Sequence, residues 1–208
     1  YYALITLIDD QIGRIWTVLE ETGLAEDTIL IFTSDHGDML GDFGMMGKAN
    51  FYEPVIRVPT ILVLPSRFKR VVHRFDGLVE TMSLAPTVLD YAGIDRPPEM
   101  TAKSWRSIVE GEADGETAIL CEYVSNDRKL KAKCVRTDRY KLVSWGGGVG
   151  ELYDLQEDPL ELRNLYDDPE YLSLRDEMKD ILLERLAESE MPPYTQWLEE
   201  LPGHVLRA

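Results

Sequence analysis

The chain has 208 residues, 44% hydrophobic and 29% charged, enough for one domain with a sizeable core and a smaller appendage. Its 22 Lys and Arg against 38 Asp and Glu give a formal charge of −16, which argues against nucleic-acid binding and against attraction to an anionic membrane surface. No apolar run approaches the ~20 residues of a membrane-spanning helix; Cys121 and Cys134 are too few for a disulfide framework, so the compartment stays open.

In chain order, Leu4, Ile5, Ile8, Ile12, Ile15, Trp16 and Leu19 recur on one helical face, predicting a helix over 1–22 that Gly23 closes. The sequence opens inside this helix, with neither a cap nor a preceding strand, so a longer protein is expected. Thr28 to Thr33 (TILIFT) is continuously apolar, the pattern of a strand covered on both faces in a parallel or mixed sheet. It runs into Ser34, Asp35, His36 and Gly37. Ligands of open α/β sheets gather at such strand ends. A carboxylate next to an imidazole offers two neighbouring metal ligands, and Gly37 and Gly41 let the chain turn close to an ion. Thirteen residues beyond Asp35 comes Lys48, a point charge suited to an anionic oxygen. Taken alone, Asp-His-Gly equally fits a helix cap beside an ordinary loop histidine; the longer pattern decides between them.

Val55 to Leu64 reads as a second buried strand, with Pro59 near its entrance. Arg67, Lys69, Arg70, His73 and Arg74 form a basic patch, read first as a solvated loop and second as a contact for an anionic substrate. Leu78 to Glu80 reads as a short strand, and Ser83 to Tyr91 as a helix capped by Ser83 and closed by Gly93. Prolines 97 and 98 and glycines 111 and 115 mark a boundary, dividing the chain into residues 1–113 and 114–208. Beyond it, Thr117 to Val124, Lys131 to Arg136, Tyr140 to Trp145 and Glu151 to Leu155 are short strands with tight turns, hence an antiparallel sheet. The two cysteines could face each other across a hairpin, but are read as buried free thiols. An amphipathic helix over 171–188 should pack on that sheet, followed by an extended tail over 191–208.

From Thr33 to Ile61 the run Thr-Ser-Asp-His-Gly-Asp-Met-Leu-Gly-Asp, then Gly-Met-Met-Gly-Lys, Phe-Tyr-Glu and Ile-Arg-Val-Pro-Thr-Ile closely resembles the sulfatase family of the alkaline-phosphatase superfamily. Leu84-Ala85-Pro86-Thr87, Leu152-Tyr153-Asp154-Leu155, Asp158-Pro159, Glu161 and Asn164-Leu165 extend the resemblance toward the C-terminus. The resemblance implies an α/β fold: the C-terminal part of an alkaline-phosphatase-like sheet domain, then a small antiparallel sheet with a packed helix. It also implies hydrolysis of sulfate esters, with Asp35 and His36 as metal ligands and Lys48 as the sulfate-binding residue. The metal would be divalent, calcium foremost, with manganese or magnesium as alternatives. The expected nucleophile is a formylglycine, made from a Cys/Ser-x-Pro-x-Arg motif that neither cysteine here fits. Asp9 and Asp10 imitate the family's N-terminal aspartate pair but sit on a helix, where consecutive residues project about 100° apart.

The resemblance therefore covers the second half of such an enzyme, and the isolated chain is expected to be inactive. Its expected partners are a sulfated small molecule or glycan and the missing N-terminal half, with self-association into a homo-oligomer in the absence of that half. Family members commonly carry histidine at the position of Phe43, which here is expected to line an apolar substrate subsite. A phosphonate monoester or phosphodiester hydrolase of the same superfamily, and a non-catalytic folded fragment, are the alternatives.

Overall fold

The computed structural model describes residues 1–125 and 128–189, so the expected tail lies outside the described residues. Helix α1 (Tyr2–Glu21) opens the chain with none of its residues buried. Gly23 ends it at φ 72°, and the Leu24 N–H donates to Leu19 O at 2.8 Å.

Strands β1 (Leu30–Thr33) and β2 (Thr60–Val63) pair antiparallel, Leu30 opposite Val63 and Thr33 opposite Thr60. The expectation of a strand buried on both faces in a parallel or mixed sheet is not met: β1 is half-buried and β2 is its one partner among the described residues. Its apolar composition suits covering layers that the described residues do not supply.

The predicted strand over 55–64 is also divided. A single helical turn, α2 (Glu53–Ile56), precedes β2. Pro54 supplies the fixed φ favoured in a first turn, and Pro59, without an N–H, stays out of the ladder. Further on, α3 (Leu84–Ala92) ends at Gly93 with φ 69°, as the sequence indicates. Ser83 does not cap it through its hydroxyl, because a 3-10 turn over Thr81–Ser83 runs straight into the helix. A single turn, α4 (Arg106–Val109), follows. The strand expected at 78–80 reduces to one bridge, Leu78 with Glu116, and Glu80 instead uses its carboxylate to accept from the Leu120 N–H at 2.9 Å.

The remaining strands form an antiparallel meander in the order β3 (Ala118–Val124), β4 (Lys131–Thr137), β5 (Tyr140–Gly146) and β6 (Val149–Asp154). Cys121 stands opposite Cys134, and both are free thiols. On one face, α5 (Leu172–Ser189) presses Met178 and Leu182 onto Val135, Leu142 and Leu152. Burying each such side chain contributes about 1.5–3 kcal/mol. On the other face, Ala132, Cys134 and Val143 enclose Phe51, which comes from the segment after Lys48. The small sheet is thus sandwiched between its own helix and the stretch bearing the candidate site. Among the described residues, no helix is long and apolar enough to cross a membrane.

Candidate functional site

At the end of β1 the chain folds into a tight polar turn. Ser34 Oγ donates to His36 O at 2.7 Å, and the His36 N–H donates to Asp35 Oδ1 at 3.0 Å. His36 Nδ1 lies 2.8 Å from Gly37 O. A carbonyl can only accept, so in this contact Nδ1 donates. His36 Nε2 is 3.3 Å from Asp35 Oδ2 and in contact with Lys48 Nζ. The three residues singled out from the sequence therefore converge on one point. The His36 N–H foremost, with the Lys48 charge adding, holds the Asp35 carboxyl below its ordinary value against the opposing effect of burial.

The turn is fixed from below. An added Cβ on Gly37 would stand 1.9 Å from Pro54 O, so only glycine allows the backbone of α2 to approach this closely. At the same place the Gly37 N–H donates to Val55 O at 2.7 Å. The loop that returns Lys48 to His36 is closed by Asp38, whose Oδ1 accepts from the Gly47 N–H at 3.0 Å, and by the Met39 N–H to Gly47 O at 3.0 Å. Gly47 makes that closure at φ 92°, a left-handed conformation other residues resist.

Phe43 stacks on Tyr52 with ring centroids 4.4 Å apart, and Tyr52 leans on Tyr153 at 6.1 Å. It is not among the residues lining the cleft beside the site, so the geometry gives no support to Phe43 as a wall of a substrate subsite. Burial pushes the Tyr153 phenol well above its ordinary value.

Sequence reasoning missed the group that anchors α2. Lys141, fully buried on β5, donates from Nζ to Phe51 O at 2.8 Å and Glu53 Oε1 at 3.2 Å, and contacts the Glu161 carboxylate. Arg136 Nε donates to Glu53 Oε1 at 3.1 Å, and Glu161 Oε2 accepts from the Glu53 N–H at 2.8 Å. Burial alone would raise the Glu53 carboxyl, but Lys141 and Arg136 outweigh it and hold the group below its ordinary value. At Glu161 burial wins over Lys141 and the shift is upward. The signal for this cluster was present: a lysine two residues before Val143, on the core-facing alternation of a strand.

The turn opens onto a cleft of about 1200 Å³ whose walls include Asp35, His36, Lys48, Arg57, His73 and Arg136. Most of the basic patch is locally neutralised: Arg67 pairs with Asp27 at 2.8 Å, Lys69 with Glu112 at 2.9 Å and Arg74 with Asp76 at 2.8 Å. Asp9 and Asp10 are exposed on α1, well separated in sequence from this turn. Among the described residues, no group of three or more His, Cys, Asp and Glu is placed to hold a metal, so Asp35 and His36 stand as a pair.

The family model for N-sulphoglucosamine sulphohydrolase, C-terminal, matches residues 41–188. The chain belongs to the sulfatase family. This sulfatase chain is 32% identical to an arylsulfatase of Clostridium perfringens, over 98% of its own length and 43% of the relative's. It is 30% identical to an N-acetylglucosamine-6-O-sulfatase of Bacteroides thetaiotaomicron, over 88% of the chain and 34% of the relative. The solved phosphonate monoester hydrolase of Agrobacterium radiobacter superposes with a TM-score of 0.84 at 29% identity, over 91% of this chain and 41% of that one. The sulfatase chain thus spans well under half the length of these relatives and corresponds to the C-terminal portion of the family. The expected fold, a part of an alkaline-phosphatase-like α/β core followed by a small antiparallel sheet with a packed helix, is the one these neighbours share.

Proposed function

We infer that the protein containing this chain hydrolyses sulfate esters, and that this portion contributes part of its metal and anion site. Asp35 and His36 would hold a divalent ion, calcium foremost and manganese or magnesium as alternatives, and Lys48 would bind a sulfate oxygen. The observation that carries this reading is the convergence of Asp35, His36 and Lys48 on one point. The His36 Nδ1–H is spent on Gly37 O, an arrangement common among metal-binding histidines, which leaves Nε2 facing Asp35 and Lys48. Both side chains remain open to a ligand, Asp35 at 82% exposure and His36 at 34%.

A bound divalent ion supplies charge neutralisation at the ester's non-bridging oxygens. Lys48 adds a fixed cation, so developing negative charge meets a preorganised environment. The neighbouring N–H and Lys48 favour the ionised form of Asp35, and His36 Nδ1 is committed to Gly37 O, so Nε2 is the nitrogen turned toward the ion site. The nucleophile, a formylglycine in this family, would come from the rest of the protein. Two ligands hold a divalent ion weakly, so the chain alone should bind metal poorly and turn over no ester.

In the protein expressed from its complete reading frame, Lys48→Met and Asp35→Asn should each lower kcat/KM on an aryl sulfate by about 100-fold or more. Unchanged activity in either variant, or an intact upstream frame without Cys/Ser-x-Pro-x-Arg, would sink the assignment. The close match to a phosphonate monoester hydrolase supports a second reading, hydrolysis of phosphonate monoesters or phosphodiesters. The ratio of kcat/KM for an aryl sulfate and an aryl phosphonate separates the two.

A further inference from the structure

Lys141 is fully buried, and two of its three contacts are to the segment that follows Lys48. It takes hold of Phe51 O three residues after Lys48, and of Glu53 at the first position of α2. From α2 the linkage continues without a gap. Pro54 O presses where Gly37 has no side chain, Val55 O accepts the Gly37 N–H at 2.7 Å, and Gly37 O accepts the proton of His36 Nδ1 at 2.8 Å. Each link is a hydrogen bond or a backbone contact with no room for slack.

The cluster is balanced, Lys141 and Arg136 against Glu53 and Glu161, so it presents no net charge to a ligand. Nor can Lys141 reach one, being wholly enclosed. A charged group of this kind is a poor way to gain stability, since an apolar residue in the same volume does at least as well. What a lysine adds is directional: its ammonium is satisfied by one arrangement of three acceptors. Phe51 alone, lying among Ala132, Cys134 and Val143, could slide on that apolar surface.

We propose that Lys141, with Glu161 as its counter-ion, is a positioning residue for the candidate site, fixing α2 against Gly37 and so aiming His36 Nε2 and Lys48 at a common point. The proposal rests on the reading of Asp35, His36 and Lys48 given above, but one of its readouts does not.

The test uses the complete protein carrying Lys141→Met/Glu161→Gln, which removes one charge of each sign and leaves Arg136 to pair with Glu53. Glu161→Gln alone, which keeps an acceptor, is the milder variant should the double one fail to fold. Backbone amide exchange followed by mass spectrometry reports the turn directly. Exchange over residues 35–40 and 48–57 should rise about 10-fold while β5 and β6 keep wild-type protection, and divalent-metal affinity should weaken about 10-fold, as when a ligand's supporting contact is lost. Exchange rising equally throughout the small sheet would mean a purely structural role and overturn the proposal. Wild-type exchange at the turn would overturn it as well, as would wild-type metal affinity in the variant when Asp35→Asn does weaken binding. If the wild-type protein and Asp35→Asn bind the ion equally well, the metal reading fails, and a selective rise in exchange at the turn then still identifies Lys141 as what holds it.

Discussion

At the scale of single residues, the site depends on a glycine that has no chemistry of its own. Gly37→Ala forces a Cβ into Pro54 O, and overpacking of this sort destabilises by about 1–3 kcal/mol. A lower thermal midpoint together with lost metal affinity is expected, and an unchanged melt would show that α2 yields easily. Asp154 makes a prediction in pH. The Arg139 fork, with Nη2 to Oδ2 at 2.7 Å and Nε to Oδ1 at 3.0 Å, holds the carboxyl below its ordinary value, against burial. Its folded-state value is thus below the ~3.9 of the unfolded chain, so its stabilisation is present above that pH and disappears as pH falls through the folded value. Thermal midpoints of wild type and Asp154→Asn should differ at pH 7 and converge toward pH 3 or below. Asp35, His36 and Lys48 were legible because they sit close together in sequence, within a spaced motif. Lys141 and Glu161 were not, because a core-facing lysine was the cluster's one sequence signal and its partners at 53, 136 and 161 lie too far away to share a local pattern.

At the scale of elements, patterns set by burial on one face were read well, and patterns needing an unseen partner were not. The four strands of the meander are set off by turn signals, and their extents match the sequence reading to within a few positions although both faces of the sheet are covered. Helix α5 is similarly explicit, and Met178→Ala should cost about 2–5 kcal/mol by leaving a void against Val135 and Leu142. Chemical denaturation should show it as a lower midpoint with an unchanged slope. By contrast, the apolar run at β1 invites a fully covered strand, yet its pairing is with β2 alone and antiparallel. At 55–64 the helical turn carrying Pro54 and the missing N–H of Pro59 divide what hydrophobicity alone joined. At 78–80 the Glu80 carboxylate takes up the Leu120 N–H, a bond that no strand propensity encodes.

At the scale of the whole molecule, the exposed helix is informative. On α1, Tyr2 is 85% exposed and Leu4 61%, with Ile5, Ile8, Ile15 and Val18 also open. Apolar patches of this kind mark surfaces that bind something, and the relatives are more than twice as long as the chain. The chain expressed by itself should therefore self-associate, and co-expression of the remaining residues of its reading frame should suppress this. Light scattering showing a cooperative monomer at high concentration would contradict the expectation.

The anchoring of α2 also has a consequence in time. Lys141 reaches back 90 residues to Phe51, and Glu161 reaches back 108 to Glu53. Contacts so distant in sequence form after local ones. As the polypeptide is synthesised, Asp35, His36 and Lys48 leave the ribosome long before the strands that steady them. A nascent chain stalled ahead of Lys141 carries Asp35, His36 and Lys48 without the buried lysine proposed to steady them. On the proposed reading, competence to bind is acquired only after the small sheet has been made and closes underneath.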